Sequence, residues 1–353
     1  MQKTTSSDVV WAFRHLLGRE PEGADVIEQH RTSVPDPANL PRFLFRSKEA
    51  FSRLGLAPTV GQFCRYRPQA QKILVIGNCQ GPNLACAIAA MSDVSVFGVE
   101  AMYYTKAPDI FREAIASADV IMTCVLADHF DEIATSRLRL ISPKPVVTYS
   151  PLYFDGLLPD MTYWGHHADR AKSPVGEYHS KIVLQSFFKG LTEGNCLNRF
   201  RLEEYQALGY GERTKISLAE LDKREADCDV KFTSFIADQF RKHLLFLTFN
   251  HPTTTLFLHV AQKLCRAAKI SVNAIAQNSF YNSLLQDTVW PIYSGIAQLN
   301  RLEFPVGQAF SKQGIIITLE EFVWRSYEIY TSFGAERLLQ SASGTQRKEV
   351  LNA

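Results

Sequence analysis

Apolar and polar positions fall into blocks along the chain. Residues 73–76, Ile-Leu-Val-Ile, form an unbroken apolar run, as in a parallel strand covered on both faces. Gly77-Asn78-Cys79-Gln80-Gly81 breaks the run. Pro82 follows, suited to the first turn of a helix, and residues 84–91 are small and apolar. The pattern predicts strand, sharp turn and helix over 72–91, with a cysteine at the apex. Further Val- and Ile-rich runs lie at 94–99, 119–125 and 145–149, separated by helix-compatible stretches at 109–117 and 130–140. Strands alternating with helices imply a parallel sheet. Right-handed crossovers then bring the strand ends to one edge, beside Cys79, where open α/β sheets bind ligands.

Upstream, Val9, Val10, Phe13, Leu16 and Leu17 recur at helical spacing, with Ser7 or Asp8 as the cap and Gly18 as the stop. Two further helices are predicted at 24–30 and 40–51, the last with Phe43, Leu44 and Phe51 on its apolar face. Residues 1–55 therefore read as an all-α module, 56–71 as a linker, 72–340 as one α/β domain and 341–353 as a flexible polar tail. Residues 150–180 are irregular, with aromatic side chains and His166, His167 and His179. Their aromatic content argues against disorder and their length suggests a binding loop or lid. An apolar run at 244–249 ends in Asn250-His251-Pro252-Thr253. A helix follows over 254–268, with Leu256, Phe257, Val260, Ala261 and Leu264 as its stripe, and another spans 319–333.

Composition narrows the function classes. Of 353 residues, 46% are hydrophobic and 21% charged, and the formal net charge is +2, which gives no reason to expect nucleic acid or a membrane surface as partner. No run approaches the ~18 apolar residues of a membrane span. The first residues lack the apolar stretch of a signal peptide, so a cytoplasmic location is expected. The seven cysteines are widely spaced with no CxxC pair, so neither a disulfide framework nor a metal site is expected. Cys86, Cys124 and Cys265 lie in apolar segments and read as buried small hydrophobes.

Cys79 alone is framed by turn residues. It reads either as a nucleophile or pocket wall at a helix N-terminus, or as the small residue a tight turn requires. Asn78 and Gln80 favour function, because flanking amides can donate to a carbonyl or oxyanion. Gly77 and Gly81 permit close backbone approach. The turn is neither GxGxxG nor a P-loop. His251, in a turn opening a helix, is a candidate general base or acid, against the plainer reading of a structural histidine. Asp160, Tyr178 and the three loop histidines form a third group, read as a binding loop. Asp128-His129 is equally a pocket candidate or a helix cap. Lys106, Arg170, Lys172, Lys181 and Lys189 are basic residues that either meet a phosphorylated ligand or are solvated surface.

KILVIGNCQG, SPLYFDGLLPD with the later EYHS, and LTFNHPTTTLF occur in that order. Together they resemble the WcbI family of bacterial capsule-polysaccharide biosynthesis enzymes over residues 72–305. The resemblance implies acetyl transfer from acetyl-coenzyme A to a sugar hydroxyl of a glycan or nucleotide-sugar acceptor. It implies a site of Gly77, Asn78, Cys79, Gln80, Gly81, Tyr178, His179, Asn250 and His251, with no metal. LLGREPEG with FLFRSKEAF is similar to a helical module appended to bacterial glycan-processing proteins, which suggests a protein partner. The plan also resembles the SGNH hydrolases, with Cys79 in the serine's place and His251 as base, although Thr248 stands where their aspartate is expected. The expected fold is thus α/β and helix-rich, a short parallel sheet with SGNH-like or Rossmann-like layering plus a small N-terminal all-α module. The alternatives to a transferase are a cysteine hydrolase and a non-catalytic coenzyme- or glycan-binding protein.

Overall fold

The computed structural model describes residues 3–14, 19–45, 61–65, 67, 69–166, 170–273 and 282–351. They form two compact units, Met1–Pro151 with Arg224–Phe232 and Thr254–Asn282, and Leu152–Lys223 with Thr233–Thr253 and Ser283–Ala353.

The first unit is built on a five-stranded sheet of β1 (Gly61–Arg65), β2 (Lys72–Gly77), β3 (Ser95–Glu100), β4 (Val120–Cys124) and β5 (Val146–Tyr149), in the order β1-β3-β2-β4-β5. Strands β2 to β5 are parallel, as the apolar runs predict. Residues Ile73 to Ile76 are all buried. After β2 the chain adds β3 on one side and then β4 and β5 on the other. The strand order therefore reverses at the carboxyl end of β2, the place where such sheets bind ligands. Gly61–Arg65, expected within the linker, is instead a strand. It pairs antiparallel with β3, with a register shift between Phe63 and Arg65, which suits a short edge strand. Residues 56–60 of that linker lie outside the described residues.

Helix Gly81–Met91 carries Pro82 in its first turn and buries nine of its residues. It packs on β2 and β3 and against helix Thr254–Ala267, whose predicted stripe is fully buried. Glycine makes this approach possible. A Cβ at Gly98 of β3 would lie 2.8 Å from both Pro82 Cα and Ala85 Cβ, and one at Gly81 would lie 3.1 Å from the Val99 carbonyl oxygen.

The N-terminal segments contain a small core of Val9, Ala12, Phe13, Val34, Leu40 and Leu44. Helix Ser6–Ala12 is capped by Thr5, with Asp8 completing a capping box, so Asp8 is the third helical residue rather than the cap. Helix Ala24–Ser33 follows. The third helix is described over Leu40–Phe45. There Phe43 is 50% exposed and meets His30 in a T-shaped contact, whereas Leu40 and Leu44 are buried. Leu16, Leu17, Gly18 and Phe51 lie outside the described residues.

The second unit corrects the reading of residues 150–180. Leu152, Phe154, Leu157, Leu158, Asp160, Met161 and Trp164 are buried, so this stretch is core rather than lid. Asp160 anchors it, accepting from the Ile182 N–H at 2.9 Å, the Tyr293 hydroxyl at 3.0 Å and the Tyr210 hydroxyl at 3.1 Å. Burial raises its pKa. Strands β6 (Met161–Tyr163) and β7 (Tyr178–Ser180) form one hairpin, and β8 (Phe246–Thr248) and β9 (His251–Pro252) another. The expected fraying tail is a helix, Gly344–Leu351. Val350 is buried and the Gln346 amide donates to the Tyr163 carbonyl at 3.1 Å. Among the described residues, no helix is long and apolar enough to cross a membrane.

The glycine-limited contact is testable by denaturation. Gly98→Ala should destabilise the chain by about 1–3 kcal/mol through overpacking. Gly194→Ala, with nothing within 4 Å of the added carbon, should change stability by less than about 1 kcal/mol. Urea unfolding of both variants beside the parent checks the contrast.

Candidate functional site

Two groups of candidate residues emerge, one in each unit. The first is the turn after β2. Gly77 is buried beneath it, and a Cβ there would lie 2.9 Å from both Gly81 Cα and the Tyr149 hydroxyl. The Asn78 side-chain oxygen accepts the Gln80 N–H at 3.0 Å, and its backbone carbonyl accepts the Gly81 N–H at 2.9 Å. The turn is thus closed on itself. Asn78 and Cys79 are half-buried, whereas Gln80 is only 1% exposed. Gln80 is therefore turned into the fold, whereas Asn78 and Cys79 stay half-buried at the apex. Cys124 is buried at the end of β4, and burial pushes its thiol up to about 12. Cys265 is buried as expected, while Cys86 is half-buried.

Glu100 is a residue the sequence reading missed. It ends β3 directly beside Gly77 in the parallel register. Strand alternation puts its side chain on the face shared with Gly98, against which helix Gly81–Met91 packs. Half-buried, it makes no side-chain hydrogen bond or ion pair among the described residues, and burial raises its pKa to about 7.

The second group surrounds the β8–β9 hairpin. The Tyr178 hydroxyl lies 2.8 Å from Asn250 Oδ1 and 3.1 Å from His251 Nε2. Thr248 Oγ1 donates to Asn250 Oδ1 at 2.9 Å, and Asn250 Nδ2 donates to the Tyr163 hydroxyl at 3.1 Å. Thr248, found where a hydrogen-bonding carboxylate was sought, therefore orients Asn250. The carboxylate near the histidine is Asp287, whose Oδ2 stands 3.9 Å from His251 Nδ1. That is beyond hydrogen-bond distance, and Nδ1 is buried without a hydrogen-bond partner among the described residues. Lys312 pairs with Asp287 and donates to Thr288 Oγ1 at 3.0 Å.

His251 is 4% exposed. Burial lowers its pKa to about 4, with Lys312 acting in the same direction and Asp287 against it. The imidazole is neutral at pH 7. Its Nε2 faces the Tyr178 hydroxyl, which donates its one proton to Asn250 Oδ1, and its Nδ1 faces Asp287.

Other predicted residues play structural parts. His179 is fully buried, with Nδ1 2.7 Å from the Tyr330 hydroxyl and Nε2 3.0 Å from the Ala171 carbonyl. Both nitrogens are engaged within the fold, contrary to a ligand-binding role, and burial lowers its pKa to about 4. His166 is exposed, and His167 lies outside the described residues. Asp128 accepts from the Ser136 hydroxyl at 2.7 Å, and His129 packs on Phe130. Arg170 and Lys172 both pair with Glu177.

The family model described as Polysaccharide biosynthesis enzyme WcbI matches residues 72–273. A solved structure of WcbI, described as a novel polysaccharide biosynthesis enzyme, matches with a TM-score of 0.64 at 18% identity, over 80% of this chain and 98% of that one. At that identity the likeness shows the fold. No curated protein matches the chain. The family match begins at β2, takes in the Cys79 turn and the Asn250-His251 hairpin, and spans more than half of the sequence, so the chain belongs to the WcbI family of polysaccharide biosynthesis enzymes.

Proposed function

We propose that the chain is an acetyl-coenzyme A-dependent O-acetyltransferase acting on a sugar of a capsule or other cell-surface polysaccharide. The observation that carries this reading is the half-buried Cys79 turn at the point where the strand order reverses, with a helix N-terminus behind it. The solved WcbI is described as the native protein without a disulfide bond between coenzyme A and a cysteine of that protein. We take Cys79 as the corresponding group here, lining the pocket for the thioester.

The acceptor hydroxyl attacks the acetyl carbonyl, forming a C–O bond as the C–S bond breaks. The Asn78 amide and the partial positive charge of the helix end stabilise the oxyanion. The resemblance to WcbI implies His251 as the base for the hydroxyl proton, and within its own unit its ring faces Tyr178, which Asn250 holds. Asp287 steadies the imidazolium as it forms. The departing thiolate takes its proton from Glu100, whose raised pKa keeps a protonated fraction near neutral pH. His251 returns its proton to solvent and Glu100 regains one, so the products are the acetylated sugar and free coenzyme A. Incubation with acetyl-coenzyme A and a saccharide panel, read by mass spectrometry, should yield acetylated sugar.

Asp287 beside His251 also favours a second reading, a hydrolase. Rapid coenzyme release without acceptor, together with no acetylated sugar in its presence, would support that alternative.

Two variants test the roles. His251→Gln should lower turnover by about 10²–10⁴-fold, with coenzyme affinity retained by calorimetry. Cys79→Ala should retain at least about a tenth of parental turnover if transfer is direct. Near-complete loss, with an acetylated Cys79 peptide trapped in the parent, would establish the covalent route instead.

The pH profile tests Glu100. An acid with a pKa of about 7 must be protonated to act, so turnover should fall as pH rises through that value. Glu100→Gln should remove this limb and lower the plateau. Protonation of His251, with its pKa near 4, should add no loss between about pH 6 and 8.

A further inference from the structure

The second unit contains a cavity of about 470 Å³ that the proton-transfer groups themselves do not fill. Its wall includes Tyr153, Tyr163 and Phe249, whose rings form one cluster. Tyr153 lies 4.9 Å from Phe249, and Tyr163 meets Phe249 edge-on at 5.0 Å. Polar groups around these rings include Lys181, Arg213 and Gln346. Arg213 is held by Asp155, with Nε donating at 2.8 Å. Gln346 is held by its bond to the Tyr163 carbonyl at 3.1 Å. The Lys181 side chain makes no hydrogen bond or ion pair among the described residues.

The lining selects a chemical class. The half-buried ring of Tyr153 suits the C–H face of a sugar, while fixed donors and acceptors suit its hydroxyl rim. Asp155 and Glu349 also line the cavity, so Lys181 and Arg213 do not make it an anion site. A lipid chain would leave the Lys181 ammonium without water or a partner. The volume is within the ordinary range of small-ligand sites. Tyr163 joins the cavity to the His251 cluster, because its hydroxyl accepts from Asn250 Nδ2. We infer that this cavity binds the acceptor saccharide, as one or two largely uncharged sugar rings, and presents a hydroxyl toward the Tyr178–His251 pair. This assignment rests on the transferase reading above and adds the place where its acceptor is recognised.

The test uses the full chain, a panel of neutral mono- and disaccharides, and two variants at the cavity. Ile216 lines it and is 45% exposed, so Ile216→Trp can narrow the space without opening the core. Lys181→Met removes a donor. Saturation-transfer NMR should detect a bound sugar in the parent. Each variant should weaken that sugar about tenfold or more, as loss of a charged hydrogen bond or of fit does. Acceptor KM should rise by a similar factor with kcat within about twofold, and unchanged coenzyme affinity will verify folding. Transfer with parental acceptor KM in both variants would overturn the cavity assignment and leave the transferase reading intact. A parent that binds coenzyme but neither binds nor acetylates any saccharide would overturn both.

Discussion

The closeness of helix Gly81–Met91 to the sheet is the constraint on which the first candidate site depends. Side chains at Gly77, Gly81 or Gly98 would collide with backbone or with fixed neighbours, and overpacking at such points costs about 1–3 kcal/mol. The close approach leaves a very short path from strand to helix. Asn78 closes that path with its own carbonyl and side-chain oxygen. Cys79 consequently stands half-buried at the apex while Gln80 turns inward. The strand order brings Glu100 to the same sheet end. A packing requirement thereby becomes a chemical arrangement: thiol, amide, helix end and carboxyl.

In the second unit, burial does the corresponding work. An imidazole removed from water resists protonation, and His251 is neutral for that reason. Asp287 opposes this effect, while Lys312 pairs with the carboxylate and acts with burial. His251 Nε2 faces a tyrosine whose orientation is shared with Asn250. His179, sequence neighbour of Tyr178, has the same lowered pKa for the same reason, yet both of its nitrogens are engaged in the core. Geometry separates the base candidate from the structural histidine where pKa does not.

Much of the sheet was legible because parallel strands buried on both faces leave continuous apolar runs. The Cys79 turn was legible because it interrupts the clearest run with five turn residues. Glu100 and Asp287 were not, since each reaches its place through register or folding and neither belongs to a local motif. Residues 150–180 were misread as a lid because irregular backbone resembles a loop in sequence. Asp160 satisfies buried N–H and hydroxyl groups there, so core can form without regular structure. Phe43 misled for the opposite reason: helical spacing marks a stripe but not which edge of it is covered.

The most direct test of the central claim, that the Cys79 turn receives the acyl thioester, is amide hydrogen exchange with and without acetyl-coenzyme A. The account predicts slowed exchange in peptides covering residues 78–85 and 99–102, weaker in the Asn78→Ala variant. Binding without protection of either peptide would contradict it.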